Sequence, residues 1–259
     1  MHPTRGRRLT LALPAIVVCG LATALVQALR AGYRRDLPTF EGYDPSGDFG
    51  SPDDPLVRIV ALGDSALTGP GLTDPDDIWI RQVCRALATH HRIELRCLAT
   101  GGTRAADVLA HQLEAAEALR PDISFVAVGT NDVTHRTPPR LFAAQLSEIV
   151  ERLATCSRAV ILPGMGDLGT VPRAPFPLSS LLTSWSALIN AIQERAAARH
   201  DNVWMIPMRR LTTAAFRRDE VFSPDRYHPN VAGHTVWAEA AIPGFRQVVD
   251  SIGDRAPAR

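Results

Sequence analysis

The sequence predicts an α/β fold of three layers, in which helices cover both faces of a flavodoxin-like parallel sheet of about five strands. Beyond residue 55, short apolar runs rich in β-branched residues alternate with longer segments whose apolar residues recur at helical spacing. The first three runs end in glycine and polar residues, which are typical of turns. An apolar segment near the amino terminus predicts one hydrophobic helix before this domain.

The amino-terminal segment has the features of a membrane anchor. Arg5, Arg7 and Arg8 precede residues 9–29, which contain no charged residue. As a helix this stretch is roughly 30 Å long, enough to cross the hydrocarbon core of a bilayer. We therefore expect residues 1–35 to be a transmembrane anchor, with the following domain on the extracytoplasmic side. A cleaved secretory signal and a helix packed on the globular domain are the alternatives.

The middle of the chain divides into a linker and one domain. Residues 36–55 are rich in Gly, Pro, Asp and Ser and predict an exposed linker to a domain over residues 56–252. A Gly/Pro loop at residues 164–178 is long for a compact domain, and it is a candidate wall of a binding site. The predicted strands are residues 57–62, 93–98, 123–128, 159–162 and 203–206, and the predicted helices are residues 78–89, 103–119, 141–154, 180–199, 209–218 and 231–241.

Charge and cysteine content exclude several classes of function. The formal net charge of +1 gives no field that would favour nucleic acid. The four cysteines show no zinc-ligand spacing, so no metal and no cofactor are predicted. Cys84 and Cys97 could form a disulfide in an oxidising compartment, although two buried thiols fit their apolar surroundings better. The composition does not predict an oligomeric state.

Ser65 follows the first predicted strand directly, in the sequence Gly63-Asp64-Ser65. Glycine permits a sharp turn at this point, because it has no Cβ. Open α/β sheets bind their ligands at the carboxyl ends of the strands, which is where Ser65 lies. The serine is therefore a candidate nucleophile, and a helix cap is the alternative.

Three further polar segments belong to the same end of the predicted sheet. The second strand is followed by residues 99–103, which include Gly101 and Gly102, and the third by residues 129–132, which include Asn131. The carboxyl ends of parallel strands meet at one edge, so these segments are expected to lie close to Ser65. Late in the domain, Asp225 stands three residues before His228.

These four segments resemble the motifs of the SGNH hydrolases, also called GDSL esterases and lipases. Gly63-Asp64-Ser65 is similar to the first motif of the family, and Gly129-Thr130-Asn131-Asp132 is similar to its Gly-x-Asn-Asp motif. Asp225-x-x-His228 resembles the last motif, and Gly102 fits the second motif better than Gly101. The resemblance covers roughly residues 57–241.

The resemblance implies a serine esterase or lipase that acts through an acyl-enzyme. Ser65 would be the nucleophile, His228 the base that takes its proton, and Asp225 the carboxylate that orients the imidazole. The backbone N–H groups of Ser65 and Gly102 and the side-chain amide of Asn131 would form the oxyanion hole. The expected partner is an ester substrate: a lipid, an acylated or acetylated sugar, or a small ester. The amino-terminal segment would place the enzyme at a membrane or outside the cell.

The sequence is also compatible with two alternatives to an esterase of this kind. One is a carbohydrate O-deacetylase of the same fold. The other is a catalytically silent, flavodoxin-like module that binds phosphate at Gly101 and Gly102. The silent module would lack the Gly-Lys-Ser/Thr sequence of phosphate-binding loops, and it would leave Asp225 and His228 unexplained.

Overall fold

The computed structural model describes residues 5–31 and 42–253, and in the first of these ranges the side chains of residues 17–30 are described. The strands are β1 (Gly47–Phe49), β2 (Leu56–Gly63), β3 (Arg92–Cys97), β4 (Ile123–Ala127), β5 (Ala159–Pro163) and β6 (Val203–Ile206). The helices are α1 (Arg5–Ala31), α2 (Trp79–Leu87), α3 (Ala105–His111), α4 (Leu113–Ala118), α5 (Thr130–Thr134), α6 (Pro139–Cys156), α7 (Leu178–Ala197), α8 (Met208–Thr212) and α9 (Val231–Gly253).

The six strands form one sheet in the order β1-β3-β2-β4-β5-β6. All neighbours from β3 to β6 run parallel, and only the short edge strand β1 is antiparallel. Without β1, the order is the 2-1-3-4-5 order of flavodoxin-like folds. The predicted α/β fold with a mostly parallel sheet is confirmed, with one additional edge strand.

Helices cover both faces of the sheet, and this accounts for the apolar character of its central strands. Every residue of β4 and β5 is buried, as expected for parallel strands with helices on both sides. Ile59 and Phe125 face a core that includes buried residues of α2 and α9. Val60 and Leu62 face the opposite core, beneath α3, α6 and α7.

Three helices differ clearly from their predicted extents. The helix predicted for residues 209–218 ends at Thr212 as α8, and Ala215–Arg217 form a separate 3-10 turn. The helix predicted for residues 103–119 is divided into α3 and α4 at Gln112, whose buried side chain binds the backbone of Gly63. The helix predicted for residues 231–241 continues to Gly253 through Pro243. It continues because Phe245, among other apolar residues beyond Pro243, packs into the core.

The segment predicted to be a linker belongs in part to the domain. Residues 36–41 lie outside the described residues, but Gly47–Phe49 form β1 beside β3. Ahead of this strand, the backbone N–H of Tyr43 donates to the carbonyl of Thr68 at 2.7 Å. The hydroxyl of Ser46 accepts a hydrogen bond from the backbone N–H of Cys97 at 2.9 Å. The second half of the expected linker is therefore packed structure, which its Gly/Pro/Asp composition did not indicate.

The hydrophobic amino-terminal helix is present as α1, and its described part packs on the domain. Ala24 is buried, and the side chain of Gln27 donates to the carbonyl of Phe176 at 2.8 Å and accepts from the N–H of Leu178 at 3.1 Å. Within the described residues, no helix combines the length and the apolarity needed to cross a membrane. The expected span at residues 9–29 is thus not supported, and the side chains of residues 9–16 lie outside the described ones.

Candidate active site

The turn that carries Ser65 depends on a glycine that no other residue could replace without strain. Gly63 has a φ of +145°, and a Cβ at this position would lie 2.1 Å from the carbonyl oxygen of Ala127. The close approach of β2 to the end of β4 therefore requires glycine. Gln112 holds the same residue from the other side: its Oε1 accepts from the N–H of Gly63 at 2.8 Å, and its Nε2 donates to the carbonyl at 3.0 Å.

The residues around Ser65 fix the turn that follows. Oδ1 of Asp64 accepts a hydrogen bond from the backbone N–H of Ala66 at 2.9 Å. The indole N–H of Trp79 donates to the carbonyl of Ala66 at 2.7 Å. Ser65 itself is only partly buried, so its hydroxyl stands on a rigid turn at the edge of a cavity.

Asp225 and His228 form a compact unit within one loop. Oδ2 of Asp225 lies 2.6 Å from Nδ1 of His228, and Oδ1 accepts from the backbone N–H groups of Tyr227 at 2.9 Å and His228 at 3.0 Å. Arg226 between them has a φ of +57°, the left-handed conformation that brings the chain back on itself. Burial would raise the pKa of Asp225, but its hydrogen bonds from His228 and Tyr227 outweigh burial and hold the pKa below its usual value.

Ser65 and His228 line the same small cavity, of about 90 Å³, which we call the serine cavity. Asp225 stands behind His228, and its side chain is only 4% exposed. Within the described residues, no hydrogen bond joins the Ser65 hydroxyl to the His228 ring. Hydrogen bonds between a nucleophile and its base are often long before substrate binds. The structure therefore brings the predicted serine and histidine to one site, with the carboxylate in contact with the histidine.

The other residues expected to bind an oxyanion stand further back. Nδ2 of Asn131 donates to Oδ2 of Asp64 at 3.0 Å and to the carbonyl of Thr103 at 3.1 Å. An amide nitrogen has two N–H groups, so both are engaged within the protein. Gly102 has a φ of +80°, and a Cβ there would meet no atom within 4 Å. Neither Gly102 nor Asn131 belongs to the described residues that line the serine cavity.

Asp64 is a buried carboxylate directly beneath the site. Burial raises its pKa to about 6, although hydrogen bonds from Ala66 and Asn131 act in the opposite direction. The nearby carboxylate of Asp132 raises the pKa further. Asp132 has its own partner, because its Oδ2 accepts from the backbone N–H of Ala105 at the start of α3.

Sequence reasoning missed two buried residues that support the site. Gln112 holds the Gly63 turn, and its one sequence signal is that it interrupts an apolar helix face. His234 lines the serine cavity, and its Nδ1 accepts from the backbone N–H of Trp79 at 3.3 Å. Burial, with a smaller effect from the charge of His228, lowers the pKa of His234 to about 3, so this ring is neutral. Across the described ranges, no group of three or more His, Cys, Asp or Glu side chains could hold a metal ion.

Comparison with known proteins agrees with this geometry. The model of the GDSL-like Lipase/Acylhydrolase family matches residues 61–236, which is more than half of the chain. The chain belongs to this family. The resemblance drawn from the four motifs is therefore confirmed, and the protein is a carboxylic ester hydrolase. No curated protein is similar enough to count as a relative.

Several solved structures share the fold of this family member. The acetylxylan esterase Axe2 from Geobacillus stearothermophilus is 19% identical with a TM-score of 0.55, over 82% of this chain and 99% of that one. TesA is 18% identical with a TM-score of 0.62, over 74% and 99%. The α/β hydrolase LAE5 from the Lake Arreo metagenome is 19% identical with a TM-score of 0.58, over 77% and 98%. At identities of 18–19%, the similarity to these three structures shows a shared fold.

Proposed function

We propose that this GDSL-family protein hydrolyses carboxylic esters through an acyl-enzyme formed on Ser65, with His228 as base and Asp225 as the residue that orients it. The observation that carries the proposal is the 2.6 Å contact between Asp225 and His228, whose ring shares a cavity with Ser65. A serine hydroxyl is a weak nucleophile unless an adjacent base takes its proton, and His228 is the base within that cavity.

Each member of this triad has a distinct task. As the Ser65 oxygen attacks the ester carbonyl, its proton passes to Nε2 of His228. Asp225 accepts the Nδ1–H of the ring, which fixes the tautomer and stabilises the imidazolium. His228 then returns the proton to the departing alcohol, and the acyl group stays on Ser65. Water enters and repeats the sequence, with His228 again taking a proton, and releases the acid.

The tetrahedral intermediates need hydrogen-bond donors for their oxyanion. The backbone N–H groups of Ser65 and Gly102 and the amide of Asn131 are the donors we propose. Because both N–H groups of Asn131 are already bonded, the oxyanion must replace or share the partner of one of them. The hydrogen bond to Asp64 also holds the amide nitrogen of Asn131 near the turn that carries Ser65.

A carbohydrate O-deacetylase is the second candidate, because a cavity of about 90 Å³ suits an acyl group as small as acetyl. The structural neighbour Axe2 is described as an acetylxylan esterase. Activity on an acetylated xylo-oligosaccharide that exceeds activity on p-nitrophenyl acetate would favour this candidate. Equal or lower activity on the sugar ester would favour the general esterase.

We propose that the domain works outside the cytoplasm, either attached to a membrane or secreted. Support comes from the Arg residues at positions 5, 7 and 8 and the uncharged residues 9–29 that follow them. A carboxyl-terminal tag on the full chain, probed with protease on intact spheroplasts, tests this. A tag that resists digestion until the membrane is broken would place the domain in the cytoplasm.

The first test of function is turnover of p-nitrophenyl acetate by the full chain. An esterase releases p-nitrophenol in many turnovers, whereas a silent binding module of the same fold releases none above the rate in buffer. Asp53→Ala, on an exposed residue remote from the serine cavity, is a matched control that should keep full activity.

A further inference from the structure

A second, larger cavity adjoins the serine cavity. Its volume is about 500 Å³, and Leu168, Val171 and Tyr227 line both spaces. We call it the apolar cavity. Leu178 and Leu182 of α7 also line it. The two cavities therefore share a wall that begins next to Ser65 and His228.

Helix α1 forms one side of the apolar cavity. Leu21, Ala24, Leu25 and Ala28, which recur at helical spacing, line it from this helix. Gln27 ties the helix to the chain at the start of α7 through its two hydrogen bonds with the backbone of Phe176 and Leu178, of which Leu178 also lines the cavity. The helix is thus held against the domain at the cavity by specific contacts as well as by the burial of Ala24.

The sizes of the two spaces constrain the substrate. Sites for small molecules usually have volumes of about 300–1,000 Å³. The serine cavity, at about 90 Å³, is well below this range, while the apolar cavity is within it. A chain longer than a few carbons must therefore leave the serine cavity. The adjacent space, which shares Leu168 and Val171 with the serine cavity, is lined mainly by aliphatic side chains, where each buried methylene favours binding.

We propose that the apolar cavity binds the hydrocarbon chain of the substrate, and that α1 is the part of the enzyme that selects it. The substrates are then esters with a medium or long apolar chain. This inference rests on the proposed esterase function and adds a substrate class to it. Leu21 and Leu25 line the cavity yet are 58% and 54% exposed, so they offer apolar surface that a chain would cover. The helix therefore acts as a wall of the binding site.

The test measures kcat/KM of the full chain for p-nitrophenyl acetate, butyrate, octanoate and decanoate, and for decyl acetate. Each methylene buried in the cavity should raise kcat/KM up to about fourfold. We expect the decanoate-to-acetate ratio to exceed 10. A gain with the p-nitrophenyl esters assigns the cavity to the acyl chain, and a gain with decyl acetate assigns it to the alcohol. No gain with either overturns the proposal, and no turnover of any of these esters overturns the proposed function instead.

Variants on α1 show whether the helix is responsible. Ala28→Phe fills the cavity and should lower the long-to-short ratio at least tenfold. Val18→Phe is the matched control, because Val18 lies on the same helix, is 63% exposed and does not line the cavity. If Ala28→Phe fails to fold, Leu25→Asp at an exposed position should lower the ratio in the same way. A ratio that is unchanged in a folded cavity variant would show that α1 takes no part in selection.

Discussion

Nδ1 of His228 lies 2.6 Å from Oδ2 of Asp225, while Oδ1 of the same carboxylate accepts two backbone N–H groups of its own loop. Three hydrogen bonds thus fix the carboxylate, and none of them comes from another element of the fold. The pair is assembled by four consecutive residues, and the sheet has only to bring that loop to Ser65. Because the pair is built within one loop, a substitution in the pair should leave the structure of the rest of the site unchanged.

Asp225→Asn should lower kcat/KM for p-nitrophenyl acetate by about 10³- to 10⁴-fold. A carboxamide carries no charge to stabilise the imidazolium, and its NH₂ group can face the ring in the wrong orientation. Circular dichroism should remain that of the wild type. Wild-type activity in this variant would assign the orienting role to another group.

Activity should fall as the medium becomes more acidic. A protonated His228 cannot accept the proton of Ser65, so kcat/KM should decline on the acid side. The pKa of Asp225 is held below its usual value, so this carboxylate stays ionised over the same range. The measurement is kcat/KM between pH 5 and 8 with an ester whose own hydrolysis is subtracted. A flat profile is incompatible with a histidine base.

Asn131→Ala should lower kcat by about 100- to 1,000-fold with little change in KM, the pattern of a donor that acts in the transition state. Asn202→Ala is the matched control, because its amide also donates two hydrogen bonds within the protein, to the backbone carbonyls of Ala154 and Ser157, and it does not line the serine cavity. That variant should lose stability without a comparable loss of kcat. A defect confined to KM in Asn131→Ala would show that the amide positions the ground state.

The sequence predicted those features that depend on neighbouring residues. The strands β2 and β4 follow from runs of apolar residues, and their parallel order follows from the helices between them. Asp225 and His228 are three residues apart, so their contact is nearly a property of the loop itself. Motif spacing selected Ser65 and His228 from the other serines and histidines of the chain, and both line the serine cavity.

Contacts between distant segments could not be predicted in this way. Gln112 and Gly63 are 49 residues apart, and Gln27 and Phe176 are 149 apart. No local pattern indicates that a buried glutamine will hold the turn that carries Ser65, or that an apolar helix will pack beside the apolar cavity. Strand β1 has only three residues and no apolar alternation, and its edge position depends on pairing with β3.

Gln112→Ala should lower the free energy of unfolding by at least about 2 kcal/mol. The substitution leaves the buried N–H of Gly63 without its partner, which costs about 1–3 kcal/mol, and it removes one of the two hydrogen bonds to the Gly63 carbonyl, which still accepts from the N–H of Thr100. Urea denaturation measures the change. Gln82→Ala removes a part-buried hydrogen bond to Asp77 and should cost less. If the two substitutions lower the free energy of unfolding equally, Gln112 stabilises the protein no more than an ordinary part-buried hydrogen bond does.

His234 should make the protein less stable as the pH decreases. Its pKa is lowered from 6.5 to about 3 in the folded state, so below pH 6.5 the unfolded chain binds a proton that the folded chain does not. The free energy of unfolding should fall by up to about 1.4 kcal/mol per pH unit between these values through this residue. His234→Gln should remove that part of the slope, measured by urea denaturation at pH 7, 6 and 5. Parallel curves for the two proteins would argue against a neutral buried His234.

The central claim is that Ser65 is the nucleophile, and covalent labelling tests it most directly. The full chain is treated with a fluorophosphonate, which reacts with activated serines, and the modified peptide is mapped by mass spectrometry. Ser184→Ala, at an exposed serine of α7, serves as the matched control for Ser65→Ala. We predict a single label at Ser65 in the wild type and in Ser184→Ala, and loss of both label and esterase activity in folded Ser65→Ala. A label on any other serine, or an active Ser65→Ala protein, would contradict the account.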